Sequence, residues 1–268
     1  MNHKNAFRPA CLLACAALIA SLPLGPGAAA AEDDARLTAS VGLDYTTGDY
    51  GQRDDTDMLA LAFAAKYETG RWTYRASVPY IRVSGPSNVV ASDEGGVALG
   101  GDGAARRTDS GLGDVVLGAS YLVLHRRDAP FLLDVGAKVK LGTADEDKGL
   151  GTGETDYSIQ AEAFKPLGAF TPFATLGYRF YGDPAGIDLR NVFYGSLGST
   201  YRVSAQTTAG ASYDFRERLS AGGGRLSEVA LFVSHRLSEV WRLQLYAIAG
   251  LSEGSPDAGL GAVASYSF

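Results

Sequence analysis

The chain has 268 residues, with 24 basic against 30 acidic side chains for a net charge of −6, and only two cysteines. That length suits one domain, and an acidic chain without a basic run is a poor ligand for nucleic acid. After the N-terminal segment, no apolar run is long enough for a membrane-crossing helix.

The first thirty residues read as an address. Lys4 and Arg8 give a positive n-region, residues 10–24 an uncharged apolar stretch, and residues 25–31 a small-residue tract before Glu32, Asp33 and Asp34. Residues 1–31 are expected to be a cleaved secretory signal peptide and 32–268 the folded domain. A lipobox over Leu12, Leu13, Ala14 and Cys15 is the rival reading, but the apolar stretch is too short before Cys15 and continues after it to Leu24. Cys11 and Cys15 leave with the signal, which suits a protein that folds after crossing an oxidising periplasm. Loss of Lys4 and Arg8 leaves 22 basic against 30 acidic residues, a net charge of −8.

Alternation and turn punctuation then mark about twelve strands: 36–46, 57–67, 72–83, 112–124, 131–141, 156–165, 170–181, 191–203, 207–215, 228–237, 242–251 and 260–268. Most have the length that a tilted strand needs to cross a bilayer. Apolar rows run uninterrupted along one face, as in Leu37, Ala39, Val41, Leu43 and Tyr45, or Leu133, Val135, Ala137, Val139 and Leu141. The connections 68–71, 125–130, 166–169, 204–206 and 238–241 are short, those between them longer, and 84–111 the longest. Short turns at one end and long loops at the other are the topology of outer-membrane barrels, periplasmic and extracellular respectively. The expected fold is all-β: a single antiparallel transmembrane β-barrel of about twelve strands.

Aromatics gather at strand ends. Tyr67, Trp72, Phe131, Phe170, Tyr201, Trp241 and Phe268 would mark the periplasmic interface, and Tyr45, Tyr80, Tyr157, Phe180, Phe193 and Tyr213 the outer one. Pro79 inside the third strand predicts a bulge there, which leaves Arg82 between lumen and outer headgroups. The last strand alternates Leu260, Ala262, Ala264, Tyr266 and Phe268 against Gly261, Val263, Ser265 and Ser267. It resembles the closing strand of an outer-membrane barrel, and the resemblance implies that Tyr266 and Phe268 form the signal read by the barrel-assembly machinery.

Residues 69–86 (TGRWTYRASVPYIRVSGP), 110–121 (SGLGDVVLGASY), 140–160 (KLGTADEDKGLGTGETDYSIQ), 171–183 (TPFATLGYRFYGD) and 251–268 (LSEGSPDAGLGAVASYSF) carry a second resemblance. They are similar to the outer-membrane "transporter" barrels grouped under a MetA pathway of phenol degradation. The resemblance implies a porin-like fold in a Gram-negative envelope and a link to aromatic compounds, and it supplies no substrate-contacting residues. Where that family has Lys-Leu-Pro-Thr this chain has Lys140, Leu141, Gly142 and Thr143, a change expected to loosen the start of the loop.

Function is then sought in the lumen, where charges need water or partners. The inward charges Arg75, Asp114, Asp134, Lys138, Lys140, Glu162 and Arg179 are the candidate site, with one register placing Lys138 opposite Gln160 and diagonal to Glu162. They read either as a charged constriction in an open pore or as a salt-bridged plug. No catalytic residue, cofactor or metal ligand is assigned, and the chain is not read as an enzyme. The only histidines after the leader are His125, in a short turn, and His235, facing outward, and no triad is visible around them. The glycines of 148–154 lack a following Lys-Ser/Thr and read as a flexible loop rather than a phosphate cradle. Acidic loops, with Asp49, Asp54, Asp55, Asp93, Glu94, Asp102, Asp109, Asp145, Glu146, Asp147 and Glu154, read as solvated, with divalent-cation binding as the alternative.

The expected function is passive passage of small solutes, aromatic ones included, across the bacterial outer membrane. The alternative is a structural or surface-interaction barrel with a charge-plugged lumen. Expected partners are outer-membrane lipid, the barrel-assembly machinery and an unidentified small solute.

Overall fold

The computed structural model describes residues 35–93, 95–99, 105–125, 131–184 and 188–268. The proposed signal, Glu94, Asp102 and the rest of the 125–130 turn beyond His125 lie outside the described residues. The strands are β1 (Arg36–Gly48), β2 (Thr56–Thr69), β3 (Trp72–Pro86), β4 (Val89–Ser92), β5 (Gly95–Ala98), β6 (Arg106–Leu112), β7 (Val115–Leu124) and β8 (Leu132–Leu141). They continue as β9 (Asp156–Phe164), β10 (Phe170–Phe180), β11 (Val192–Arg202), β12 (Thr207–Arg216), β13 (Leu226–Arg236), β14 (Trp241–Gly250) and β15 (Ala258–Ser267). Every barrel pairing is antiparallel, and β1 pairs with both β2 and β15, so the sheet closes on itself. Because β6 and β7 are two halves of one crossing, the wall has twelve strands. Closure removes the free edge that an open sheet would leave unpaired.

Alternation decides which face meets what. Along β1, Leu37, Val41, Leu43 and Tyr45 are exposed on the outer face, while Thr38, Ser40, Asp44 and Thr46 are buried on the inner one. All thirteen aromatics expected at the two interfaces are exposed on the outer face, and Trp241, Tyr266 and Phe268 meet edge-to-face in sequence at the closing seam with centroids 5.1 and 4.8 Å apart. Phe268 also donates its backbone N–H to the Leu37 carbonyl at 2.9 Å.

The bulge lies on a different strand from the one expected. β3 pairs with β2 without a register shift through Pro79, which sits opposite Ala62. The irregularity is on the neighbouring crossing: Ser77 pairs with Val116 and Tyr80 with Leu112, so three residues oppose two. Proline lacks the N–H that would face that neighbour, and the chain there buckles at Gly113 and Asp114, with the Gly113 N–H donated to the Pro79 carbonyl at 2.8 Å. One extra residue exchanges the faces, so β6 turns its odd-numbered residues inward and β7 its even-numbered ones. On the undisturbed β3, Arg82 is exposed on the outer face, opposite Leu59.

The longest loop does not stay outside. It contains the hairpin β4–β5, a separate two-stranded sheet that enters the barrel. Val89, Ala91 and Ala98 pack with Tyr50, Met58, Ile81, Val83, Ala144 and Leu150, and Val90 and Val97 with Leu189, Val192 and Leu219. Residues from the first, third, fourth and fifth long loops therefore close over the hairpin.

Candidate functional site

Tertiary structure sorts six of the seven candidate lumen charges into two groups and gives Arg179 a partner of its own. Lys140, buried on β8, has Nζ 2.8 Å from Asp114 and 3.3 Å from Asp156, and also donates to Thr152 Oγ1 and the Glu154 carbonyl at 3.2 and 3.0 Å. Asp114 reaches this position because the buckle after Leu112 turns it inward, where its other oxygen accepts the Thr143 and Ala144 N–H groups at 3.0 and 2.9 Å. A buried ammonium with two carboxylates and two further acceptors is a satisfied structural node, not a free selectivity charge.

The second group lies nearer the short turns, where Arg75, Lys138, Asp134 and Glu162 are half-buried. Arg75 donates to Ser120 Oγ at 3.3 Å. Lys138 stands opposite Ser158, not Gln160, and Asp134 opposite Glu162. A two-residue slide preserves the inward row, so alternation cannot choose between these registers; the pairing of Lys140 with Asp156 can. Between Arg75, Lys138 and Gln160 is a recess of about 20 Å³, room for little more than a water molecule.

Arg179, the remaining candidate, finds a partner that the strand pattern did not supply. Its Nη1 and Nη2 donate to Asp93 Oδ1 and Oδ2 at 2.7 and 2.8 Å, with both side chains 3% exposed. Its guanidinium also lies over the Tyr181 and Tyr194 rings, 5.5 and 6.0 Å from their centroids. Asp93 follows β4 in the turn, so this fork latches the tip of the inserted hairpin to β10 on the wall. Ala91 donates its N–H to the Gly149 carbonyl at 2.9 Å, and Ser220 Oγ donates to the Ala98 carbonyl at 3.0 Å. The 148–154 loop is thus docked on the hairpin rather than loose, with Leu150 buried and Gly149 and Gly153 at φ +64° and +74°. Gly142 likewise sits at a close approach: a Cβ there would lie 2.1 Å from the Gly153 carbonyl oxygen, so this glycine tightens the loop's start.

Signals for the latch were present in the sequence. Residues 89–92 and 95–98 are two short runs of apolar and small residues around an Asp-Glu pair, the pattern of a hairpin. What no pattern shows is that Asp93 would travel across the lumen to Arg179.

On the opposite wall, Asp44 accepts a hydrogen bond from Tyr246, and Asp214 and Glu228, both buried, face one another across β12 and β13. At the outer rim, burial together with the neighbouring carboxylates Asp49 and Asp55 raises Asp257 above the ordinary carboxylate range. The exposed Asp145 is lowered by its hydrogen bond from Lys148. Among the described residues, no three acidic, histidine or cysteine side chains come close enough to hold a metal ion. His125 is exposed, and His235 pairs through Nδ1 with Thr207 Oγ1 at 2.9 Å.

The barrel is similar to the COG4313 outer membrane channel from Pseudomonas putida F1, with a TM-score of 0.69 and 17% identity over 91% of this chain and 99% of that one. It is also similar to the β domain of the Bordetella autotransporter Brka, with a TM-score of 0.51 and 16% identity over 88% and 100%. These likenesses concern the fold. No curated protein matches the sequence. The model of the family described as "Putative MetA-pathway of phenol degradation" matches residues 33–268, nearly the whole barrel-forming chain, and this protein belongs to that family.

Proposed function

We propose that this barrel stands in the bacterial outer membrane and passes small solutes, aromatic ones included, with the β4–β5 hairpin as its internal gate. The family's name and the similarity to an outer membrane channel support passage. The observation that carries the gate is the Arg179–Asp93 fork, which holds an otherwise separate hairpin across the lumen. The leader at 1–31 would direct export, and Tyr266 and Phe268 would engage the assembly machinery before the outer face meets lipid.

A gate makes a sharp demand on energetics. Removing one partner of a buried ion pair leaves the other uncompensated, at a cost of about 3–5 kcal/mol. Asp93→Asn should therefore undock the hairpin while leaving the closed wall intact. In planar bilayers, wild type should show brief, infrequent openings, Asp93→Asn longer ones, and replacement of residues 88–99 by a Gly-Ser linker sustained conductance. A second reading, a structural barrel that never opens, draws on the burial of Asp93, Asp114, Lys140 and Arg179 around the hairpin. Liposome swelling separates the two: wild-type vesicles that exclude small aromatic salts entirely, with only the linker variant leaking, would favour the closed barrel.

A further inference from the structure

At the short-turn end of the lumen three arginines converge, with Glu68 beside Arg36 as the acid of this corner. Arg236 on β13 and Arg242 on β14 are directly opposite in the ladder, and the charged groups acting on Arg242 are Arg236 and Arg36 of β1. Like charges placed opposite one another across two strands repel. Among the described residues, Arg242 has neither a hydrogen-bond acceptor nor an acidic partner. Glu68, which stands opposite Arg36, is engaged by Lys66 at 2.8 Å. The Arg236 guanidinium donates to the Ala205 carbonyl in the adjoining turn, at 3.0 Å, and among the described residues it has no acidic partner.

A second, independent feature lies beside them. Gln244 is the next inward residue after Arg242 on β14 and is 3% exposed, yet among the described residues its Nε2 has no acceptor. A buried amide donor without an acceptor is costly, and native structures seldom keep one unless something outside the chain completes it. Ser265, opposite Arg242, forms a hydroxyl pair with Ser40 at 2.9 Å and adds a further group able to donate. The surplus here is of donors and of positive charge, and its complement is an oxyanion, which planar guanidinium groups engage through two parallel hydrogen bonds.

We infer that Arg242, Arg36, Arg236 and Gln244 form an oxyanion site that holds the carboxylate of a small organic acid at the short-turn mouth of the lumen. This rests on the reading of the barrel as a solute channel and narrows its solutes to anionic ones. A carboxylate there relieves the repulsion among the arginines and supplies the acceptor that Gln244 lacks, so occupancy should also stabilise the barrel.

The test uses the refolded full barrel in detergent, with benzoate as probe and benzyl alcohol and inorganic phosphate as comparisons. Titration calorimetry should show saturable benzoate binding that weakens as ionic strength rises, together with a higher thermal midpoint. Arg242→Gln and Gln244→Leu should each weaken binding by about tenfold, the scale of one hydrogen bond to a charged group. Benzyl alcohol binding equal to benzoate, phosphate bound in preference to it, or benzoate binding unchanged in both variants overturns the assignment. Liposome swelling reads passage separately. Binding without passage supports the site and removes the channel reading, whereas passage without binding removes the site alone.

Discussion

Lys138 and Lys140 point into the same lumen from the same strand, two residues apart, yet they are not equivalent. Lys140 is buried between Asp114 and Asp156, whereas Lys138 borders the small recess nearer the short turns. Lys140→Glu would bring a third carboxylate into a buried pair, so the expected outcome is loss of about 3–5 kcal/mol and a lower urea midpoint for the folded, heat-modifiable form. Lys138→Glu, in a half-buried position, should fold and shift ion selectivity towards cations in bilayer recordings, because a fixed charge in a narrow, poorly screened space acts strongly on passing ions. Equal stability of the two variants would show that the Lys140 node is not structural. The sequence identified both lysines as inward-facing from period two alone. It could not rank them, because Asp114 reaches Lys140 only through a one-residue buckle.

At the scale of elements, β3 and its partner crossing show how a single proline shapes a wall. Pro79 keeps its own strand regular and transfers the irregularity to Gly113 and Asp114. A Cβ on Gly113 would lie 2.6 Å from Ile81 Cδ1 and 2.8 Å from Pro79 Cγ, so the buckle has no room for a side chain. Gly113→Val is expected to cost about 1–3 kcal/mol through overpacking and to loosen the Asp114–Lys140 node with it. The readout is the urea midpoint, with Gly113→Ala as the smaller step; a neutral effect of both would mean that the wall absorbs the strain elsewhere. The hairpin β4–β5 teaches a related lesson. Its two apolar runs are legible in residues 89–98, but whether such a hairpin covers the barrel mouth or enters it depends on Asp93 meeting Arg179, separated from it by 86 residues of chain.

For the whole molecule, the alternation of short turns and long loops sets an orientation that labelling can test. Both cysteines lie before residue 32, so in a chain that begins there a single introduced thiol reports its own side. Asp147→Cys, in an exposed long loop, should react with a membrane-impermeant reagent on intact cells, and Glu239→Cys, in an exposed short turn, only once the outer membrane is opened. Equal labelling of both on intact cells would reverse or abolish the assignment.

The sequence by itself determined the class of fold, the twelve crossings, the lipid-facing rows and the aromatic belts. Each of these follows from local periodicity and from solvents that differ on the two faces of a strand. Tertiary structure alone decided the register of β8 on β9, the strand that bears the bulge, the entry of the hairpin and the gathering of Arg36, Arg236 and Arg242. These depend on contacts between residues far apart in the chain. A slide of two residues, or a loop folded inward rather than outward, leaves every local pattern unchanged, and only long-range pairing and packing separate the alternatives.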